Sequence, residues 1–230
     1  VGMMNGVQVT FLVENRIFSW DQSQLGWLIG IPVLTGSVMR LPVGLLTDRY
    51  GGRIVFTIVM LVSAAATFSL SYANSFASFA LCSLGFGVVG ASFAVGIAYS
   101  SLWFPKEKQG TALGIFGAGN AGAALTSLGA PHLLKFLTQG GEHLENWRMF
   151  PKMYAVGLLA MAVLFYLLTH HKIVEGATQK TLLQNLSPLK NIRVWRFGLY
   201  YFFVFGGFVA LAQWLIPYYV NVYVMSLATA

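Results

Sequence analysis

Arg40 stands inside a run of the kind that soluble chains avoid. From Leu25 to Thr47 the sequence is apolar or small throughout, and Arg40 is its only charge. About 20 such residues, rising about 1.5 Å each, cross the hydrocarbon core of a bilayer, so the run predicts a transmembrane helix. An arginine at that depth costs about 2.5–3.5 kcal/mol on insertion scales and normally faces a partner or a water-filled path. Arg40 lies about two turns from the end of the run, too deep for its head to snorkel out. No Asp or Glu falls inside this or any other apolar run of the chain. Two readings follow: Arg40 meets a carboxylate from elsewhere in a longer protein, or it meets an anion that the protein carries. The second is the sharper expectation.

The rest of the chain agrees with a membrane setting. Of its 230 residues 57% are hydrophobic and 9% charged, against about 25% charged in soluble domains. Apolar patterning predicts helices near 1–12, 25–47, 54–73, 76–103, 109–137, 150–169 and 194–223. Basic residues sort to one side of this arrangement. Segments 48–53, 105–108 and 170–196 hold Arg49, Arg53, Lys106, Lys108, Lys172, Lys180, Lys190, Arg193 and Arg196 against Asp48, Glu107 and Glu175. The opposite segments balance Arg16, Lys135, Arg148 and Lys152 with Glu14, Asp21, Glu142 and Glu145. The basic face is therefore read as cytoplasmic, and the net charge of +7 as a topology signal, not a nucleic-acid surface. One cysteine, Cys82, excludes an internal disulfide framework and a polythiolate zinc site.

Helix two carries Pro32 and Pro42, each of which removes a backbone donor. Asp21 or Ser23 can cap its start. Its end runs into Asp48-Arg49-Tyr50-Gly51-Gly52-Arg53, where the glycine pair allows a tight reversal. Asp48 there opposes the helix macrodipole and calls for compensation by Arg53 or by another helix N-terminus. Helix five carries Gly110, Gly114, Ala118 and Gly122 at four-residue spacing, with Gly117 and Gly119 between, a pattern that predicts close helix packing in lipid. The polar stretch 170–192 divides a bundle over 1–169 from a first helix of a second unit over 193–230. The chain opens in an apolar run too short to span and stops just past the seventh helix, so it is expected to be a fragment.

Several residues compete for chemical roles. Gly117-Ala118-Gly119-Asn120-Ala121-Gly122 fits the dinucleotide pattern G-x-G-x-x-G, but so does Gly85–Gly90, and both lie in spanning runs without the strand that a nucleotide site requires. No cofactor is expected. Asn120, flanked by glycines in mid-helix, serves either an interhelical hydrogen bond or a bound anion. Phe93, Tyr201 and Phe205 read as packing on composition alone, although Tyr201 and Phe205 share a helix face. His132, His143, His170 and His171 lack metal-ligand spacing, so no metal site is expected. No metalloprotease, nucleophile-elbow or paired-acid motif is present, which argues against an enzyme.

Two motifs then combine. Gly44-Leu45-Leu46-Thr47-Asp48-Arg49-Tyr50-Gly51-Gly52-Arg53 resembles the loop between helices two and three of the major facilitator superfamily, with Gly52 where a basic residue is common. Gly114-Ile115-Phe116-Gly117-Ala118-Gly119-Asn120-Ala121-Gly122 resembles the signature of the nitrate/nitrite porter family within it, and Arg40 and Phe104–Gly110 fit the same family. The resemblance implies an all-α membrane protein: about six spanning helices of the N-terminal half of a major-facilitator-type bundle, plus the first of the C-terminal half. It implies a multi-pass carrier in the bacterial plasma membrane, with loops 48–53, 105–108 and 170–193 cytoplasmic. By resemblance, nitrate or nitrite sits at Arg40, stacks on Phe93, is bonded by Asn120 beside Gly119, and is closed off by Tyr201 and Phe205. Asp48, Arg49, Gly52 and Arg53 form a cytoplasmic latch, and a second arginine comes from the missing C-terminal half. The family moves its anion by rocking the two halves, with protons as a candidate second partner. A carrier of another small anion, such as formate or oxalate, is the alternative, and a non-transporting anion sensor on the same fold is the alternative from another class.

Overall fold

A computed structural model of the chain describes residues 1–173 and 187–225. Most of the linker expected at 170–192, namely 174–186, and the end of the last unit, 226–230, lie outside the described residues. The described residues form helices without strands: α1 (Gly2–Glu14), α2 (Gln22–Tyr50), α3 (Gly52–Leu70), α4 (Phe76–Gly87), α5 (Ser92–Ser101), α6 (Lys106–Gly117), α7 (Ala121–Leu137), α8 (Met149–Leu168) and α9 (Ile192–Tyr223). Five stretches among them are long and apolar enough to cross a bilayer: Gln22–Tyr50, Gly52–Leu70, Phe76–Ser101, Leu144–Leu168 and Ile192–Tyr223. The α6–α7 stretch is not in that set, because its glycines, alanines and Asn120 are only weakly apolar.

Asp21 starts α2 with a capping box. Its Oδ1 accepts from the Gln24 backbone N–H at 2.6 Å, and the Gln24 side chain accepts from the Asp21 N–H. The helix then runs past the predicted end at residue 47 and stops only at Tyr50. The expected loop over 48–53 is thus a single hinge residue, Gly51, at φ +82°, and α3 begins at Gly52. Only Gly51 needs glycine's left-handed freedom. Gly52 is glycine for space: a Cβ there would meet the Tyr99 Cβ at 2.5 Å. The loop expected at 105–108 shortens in the same way. Pro105 takes the N-cap position, and Lys106 to Lys108 already form the first turn of α6.

Two expected helices are broken by 3-10 turns, Val88–Ala91 between α4 and α5 and Ala118–Asn120 between α6 and α7. The first break sits where backbones cross. A Cβ on Gly36 would lie 2.9 Å from the Gly87 carbonyl oxygen and 3.0 Å from the Gly90 Cα, and one on Gly87 would lie 2.8 Å from the Pro32 Cα. The second break has no such crossing. The glycines expected to pack helix five, Gly110, Gly114, Gly117 and Gly122, have no heavy atom within 4 Å of an added Cβ. Within the described residues these positions face open space: spacing marks a small-residue face but says nothing about what meets it. Among the helix glycines that do admit close neighbours are Gly36, Gly52, Gly85, Gly87, Gly90 and Gly96.

The main core lies at the end of the bundle that carries the 15–21 and 138–148 loops. Phe18 stacks on Trp20 at 4.6 Å between ring centroids, both meet Phe79 edge-on, and Trp147 closes the group. Trp147, Phe79 and Phe150 are fully or almost fully buried. Arg148 draws this end together by donating to the Ser71 carbonyl at 2.6 Å and to the Asn74 side chain. A smaller cluster of Val43, Val55, Val59, Ala91 and Val95 holds α2, α3 and α5 nearer the other end.

Candidate functional site

Arg40 is half-buried in α2, two turns beyond Pro32. Its Nη1 donates to the Tyr201 hydroxyl over 3.5 Å, a long and weak bond. Its Nε is buried and has no hydrogen-bond partner. The guanidinium carbon sits 5.4 Å from the Phe205 ring centroid and 6.0 Å from that of Tyr201, within cation–π range. Tyr201 and Phe205, one turn apart on α9, stack at 4.9 Å with planes 9° apart. Phe93, just after the 3-10 break, stacks on Phe205 at 5.6 Å. The structure therefore gathers Arg40, Phe93, Tyr201 and Phe205 from three elements into one contiguous group.

The arrangement has a definite chemistry. A half-buried guanidinium lies beside flat aromatic faces. A guanidinium so placed can bond an anion through charge-assisted hydrogen bonds, and flat walls suit a planar one. Among the described residues no cluster of His, Cys, Asp or Glu could hold a metal ion.

Gly119 and Asn120 stand apart from this group. Asn120 is exposed, makes no hydrogen bond to Arg40, and borders a mostly apolar cavity of about 500 Å³ with Met3, Ser127, Phe208, Leu211 and Tyr219. Gly119 has open space beside it. The 3-10 turn explains the displacement in part. Three residues wound at about three per turn carry side chains about 60° further round than α-helical winding would. The glycine-Asn segment reaches the aromatic group through Phe116 instead. Its ring centroid lies 5.6 Å from that of Phe93, and it fills the space beside Gly96 that a Cβ would occupy. Sequence reasoning missed Phe116, although Gly96, three residues after Phe93, was the available signal for a ring lying on that face.

Of the expected latch residues, Arg49 and Arg53 make contacts within this chain. Arg53 donates from Nε and Nη2 to the Tyr166 carbonyl, at 3.0 and 2.6 Å, and lies 4.2 Å from the Tyr166 ring centroid. It thereby satisfies an end carbonyl of α8, ties α3 to α8, and gives those two donors to backbone, not to another half of a carrier. Arg49 lies 5.6 Å from the ring of the adjacent Tyr50, and Asp48 occupies the last turn of α2. Gly51 abuts His171 and Lys172, and the Tyr99 hydroxyl donates to the His170 carbonyl at 2.6 Å. The start of the 170–192 segment is thus fastened to the α2–α3 hinge.

Comparison with known proteins sets this geometry in a family. The profile of the Major Facilitator Superfamily matches residues 1–230. The chain belongs to that superfamily. It is 42% identical over 217 residues to a probable nitrate/nitrite antiporter of Thermus thermophilus, covering 93% of this chain and 49% of that protein. It is 33% identical over 199 residues to a nitrite extrusion protein of Bacillus subtilis, covering 85% of this chain and 47% of that one. A probable nitrate/nitrite transporter of Mycobacterium tuberculosis is 29% identical over 219 residues, which is 94% of this chain and 53% of the relative. The chain thus spans about half the length of the relatives it matches. No solved structure matches it. The superfamily match and the membrane-capable helices make the chain a multi-pass membrane protein of the bacterial plasma membrane and not an enzyme.

Proposed function

We propose that the chain supplies one half of a carrier for nitrate and nitrite and that Arg40 holds the anion. The observation that carries this reading is Arg40 itself: a half-buried guanidinium with only one long side-chain hydrogen bond among the described residues, set beside Tyr201 and Phe205, with Phe93 stacked behind Phe205. Nitrate and nitrite are planar oxyanions, so each can accept from the guanidinium while its face lies along the rings. The named activities of the relatives agree with that choice.

In the proposed cycle the anion enters the space beside Arg40 and is held by hydrogen bonding and charge. The remainder of such a carrier brings a second arginine to the other side of the anion. The two halves rock about the bound ion and expose it to one face of the membrane at a time, as midplane sites in repeat-built carriers require. Asn120 contributes after a rotation at the Ala118–Asn120 turn, and the Asp48–Arg53 hinge forms part of the cytoplasmic closure. Protons accompany the anion or a second anion exchanges for it.

The test is uptake of isotopically labelled nitrate by cells expressing the complete carrier. Arg40→Ala is expected to abolish uptake while the protein still reaches the membrane in wild-type amount. Normal uptake by that variant would refute the assignment. Competition by unlabelled nitrite, formate and oxalate separates the proposed cargo from other small anions, and wild-type protein that moves none of them points to a sensor.

A further inference from the structure

We infer that Asn5 is a positioning residue for the Arg40 site and that it acts through the backbone of α2 at Pro32. Proline has no N–H, so Pro32 cannot bond the carbonyl four residues earlier, that of Leu28. Leu28 is fully buried, and that carbonyl therefore needs a protein partner. Asn5 provides one: its Nδ2 donates to the Leu28 oxygen at 2.9 Å across the α1–α2 interface. Asn5 is itself almost fully buried, and its Oδ1 has no partner. A packing role would be served better by Leu or Val, so the donor end is what this position uses.

The opposite side of the same turn is also held. Gly87 lies against Pro32, and Gly36 lies against the Gly87 carbonyl and Gly90. The stretch from Leu28 to Gly36 is thus held by Asn5 on α1 at its start and by the break that joins α4 to α5 at its end. Both held segments lead to the aromatic group. Arg40 lies eight residues beyond Pro32, about 12 Å along the helix, and Phe93 follows the break directly. Without the Asn5 donor, the Leu28 carbonyl is orphaned in a dry core. The α2 turn then shifts to find a partner, and the displacement carries to the Arg40 guanidinium relative to Phe93 and Phe205. Gln8 is fully buried on the same helix with both amide atoms unpartnered, but their lack of accessible surface leaves no room for a ligand there.

The inference rests on the proposed anion site only for the identity of the anion. The test is a four-protein cycle in the complete carrier: wild type, Asn5→Leu, Pro32→Ala and the double variant. KM and maximal rate are measured for whichever of nitrate, nitrite, formate or oxalate the wild type takes up. Asn5→Leu is expected to raise KM by about tenfold, as misplacement of a binding group does, with a smaller change in maximal rate per folded carrier. Pro32→Ala restores the N–H that Leu28 lacks, so adding Asn5→Leu to it is expected to change KM no further. Equal factors in both backgrounds, or an unchanged KM in Asn5→Leu, would overturn the inference. If Asn5→Leu alone does not fold, the double variant must fold, and its failure to do so counts against the proposal. Melting temperatures of the four proteins in detergent are read in parallel, and additive losses overturn the coupling through Leu28 even if the wild type transports none of the four anions. Failure of nitrate uptake by wild type would sink only the functional reading.

Discussion

At Arg40 the chain accepts a cost in order to keep a charge where lipid would exclude it. Among the described residues the guanidinium is not neutralised by packing: its Nε is unpartnered, and the bond from Nη1 to Tyr201 is long. Arg40→Lys keeps the charge but loses the planar fork and its stacking on Phe205, so uptake is expected to fall by roughly tenfold or more. Labelled-nitrate uptake at matched expression measures this, and full activity would show that charge alone suffices. Phe116 offers a second check on the same group. Phe116→Ala empties the space beside Gly96 and lets Phe93 relax away from Phe205. A loss of about 3–5 kcal/mol is the upper range for such truncation in a tight core, and the half-buried site is expected to lose less. Arg40 was legible as a residue of interest because a lone charge is conspicuous in an apolar run, whereas Phe93, Tyr201 and Phe205 read as packing from the residues alone and were singled out only by the family resemblance. Asn120 borders the neighbouring cavity in this structure, and its motif could not say so: a motif fixes spacing along the chain, while the local winding decides the direction in which the side chain leaves it.

Helices two and four meet where three glycines and a proline allow their backbones to touch. Gly36→Ala must push against the Gly87 carbonyl, which is backbone and cannot swing aside. Overpacking of this kind costs about 1–3 kcal/mol, so a clear fall in the melting temperature of detergent-solubilised protein is expected. Gly114→Ala should behave in the opposite way. It faces open space in the helical α6, where Ala is favoured over Gly by about 0.5–1 kcal/mol, so the 230-residue chain is expected to be unharmed or stabilised. A large loss at Gly114 would show that its face is covered. Gly52→Arg installs the basic residue common in the resembling motif, and here its Cβ collides with Tyr99. The helices themselves were readable from apolarity and capping. Their ends were not, because Gly51, and not the polar residues before it, stops α2.

For the molecule as a whole, the two ends of the bundle are closed by different means. One end is knit by buried aromatic rings and by Arg148 bridging to Ser71 and Asn74. The other is tied by Arg53 on the Tyr166 carbonyl and by Tyr99 on the His170 carbonyl. α9 is the least embedded of the five membrane-capable stretches: Pro217 is its only buried residue among those described, and large side chains such as Phe197 and Val204 are exposed. Those surfaces suit acyl chains or further helices. Topology is testable with cysteine labelling in a Cys82→Ala background. A cysteine at Lys190 is expected to react only with a reagent delivered from the cytoplasm, and one at His143 only from outside. The reverse pattern would invert the orientation read from the basic loops.

The sequence by itself determined that the chain is a helical membrane bundle, because twenty apolar residues in a row have few other ways to satisfy their backbone in lipid. It also determined that Arg40 is the centre of interest, since a buried charge cannot be left without an answer. Only the tertiary structure decided which groups stand round it. Whether Phe93 stacks on Phe205, and whether a glycine is filled or open, depends on crossings and on short turns of tighter winding that bring distant residues together. Those crossings are set by neighbours from other helices, as Asn5 is set against the carbonyl that Pro32 leaves bare, and no local pattern of residues encodes them.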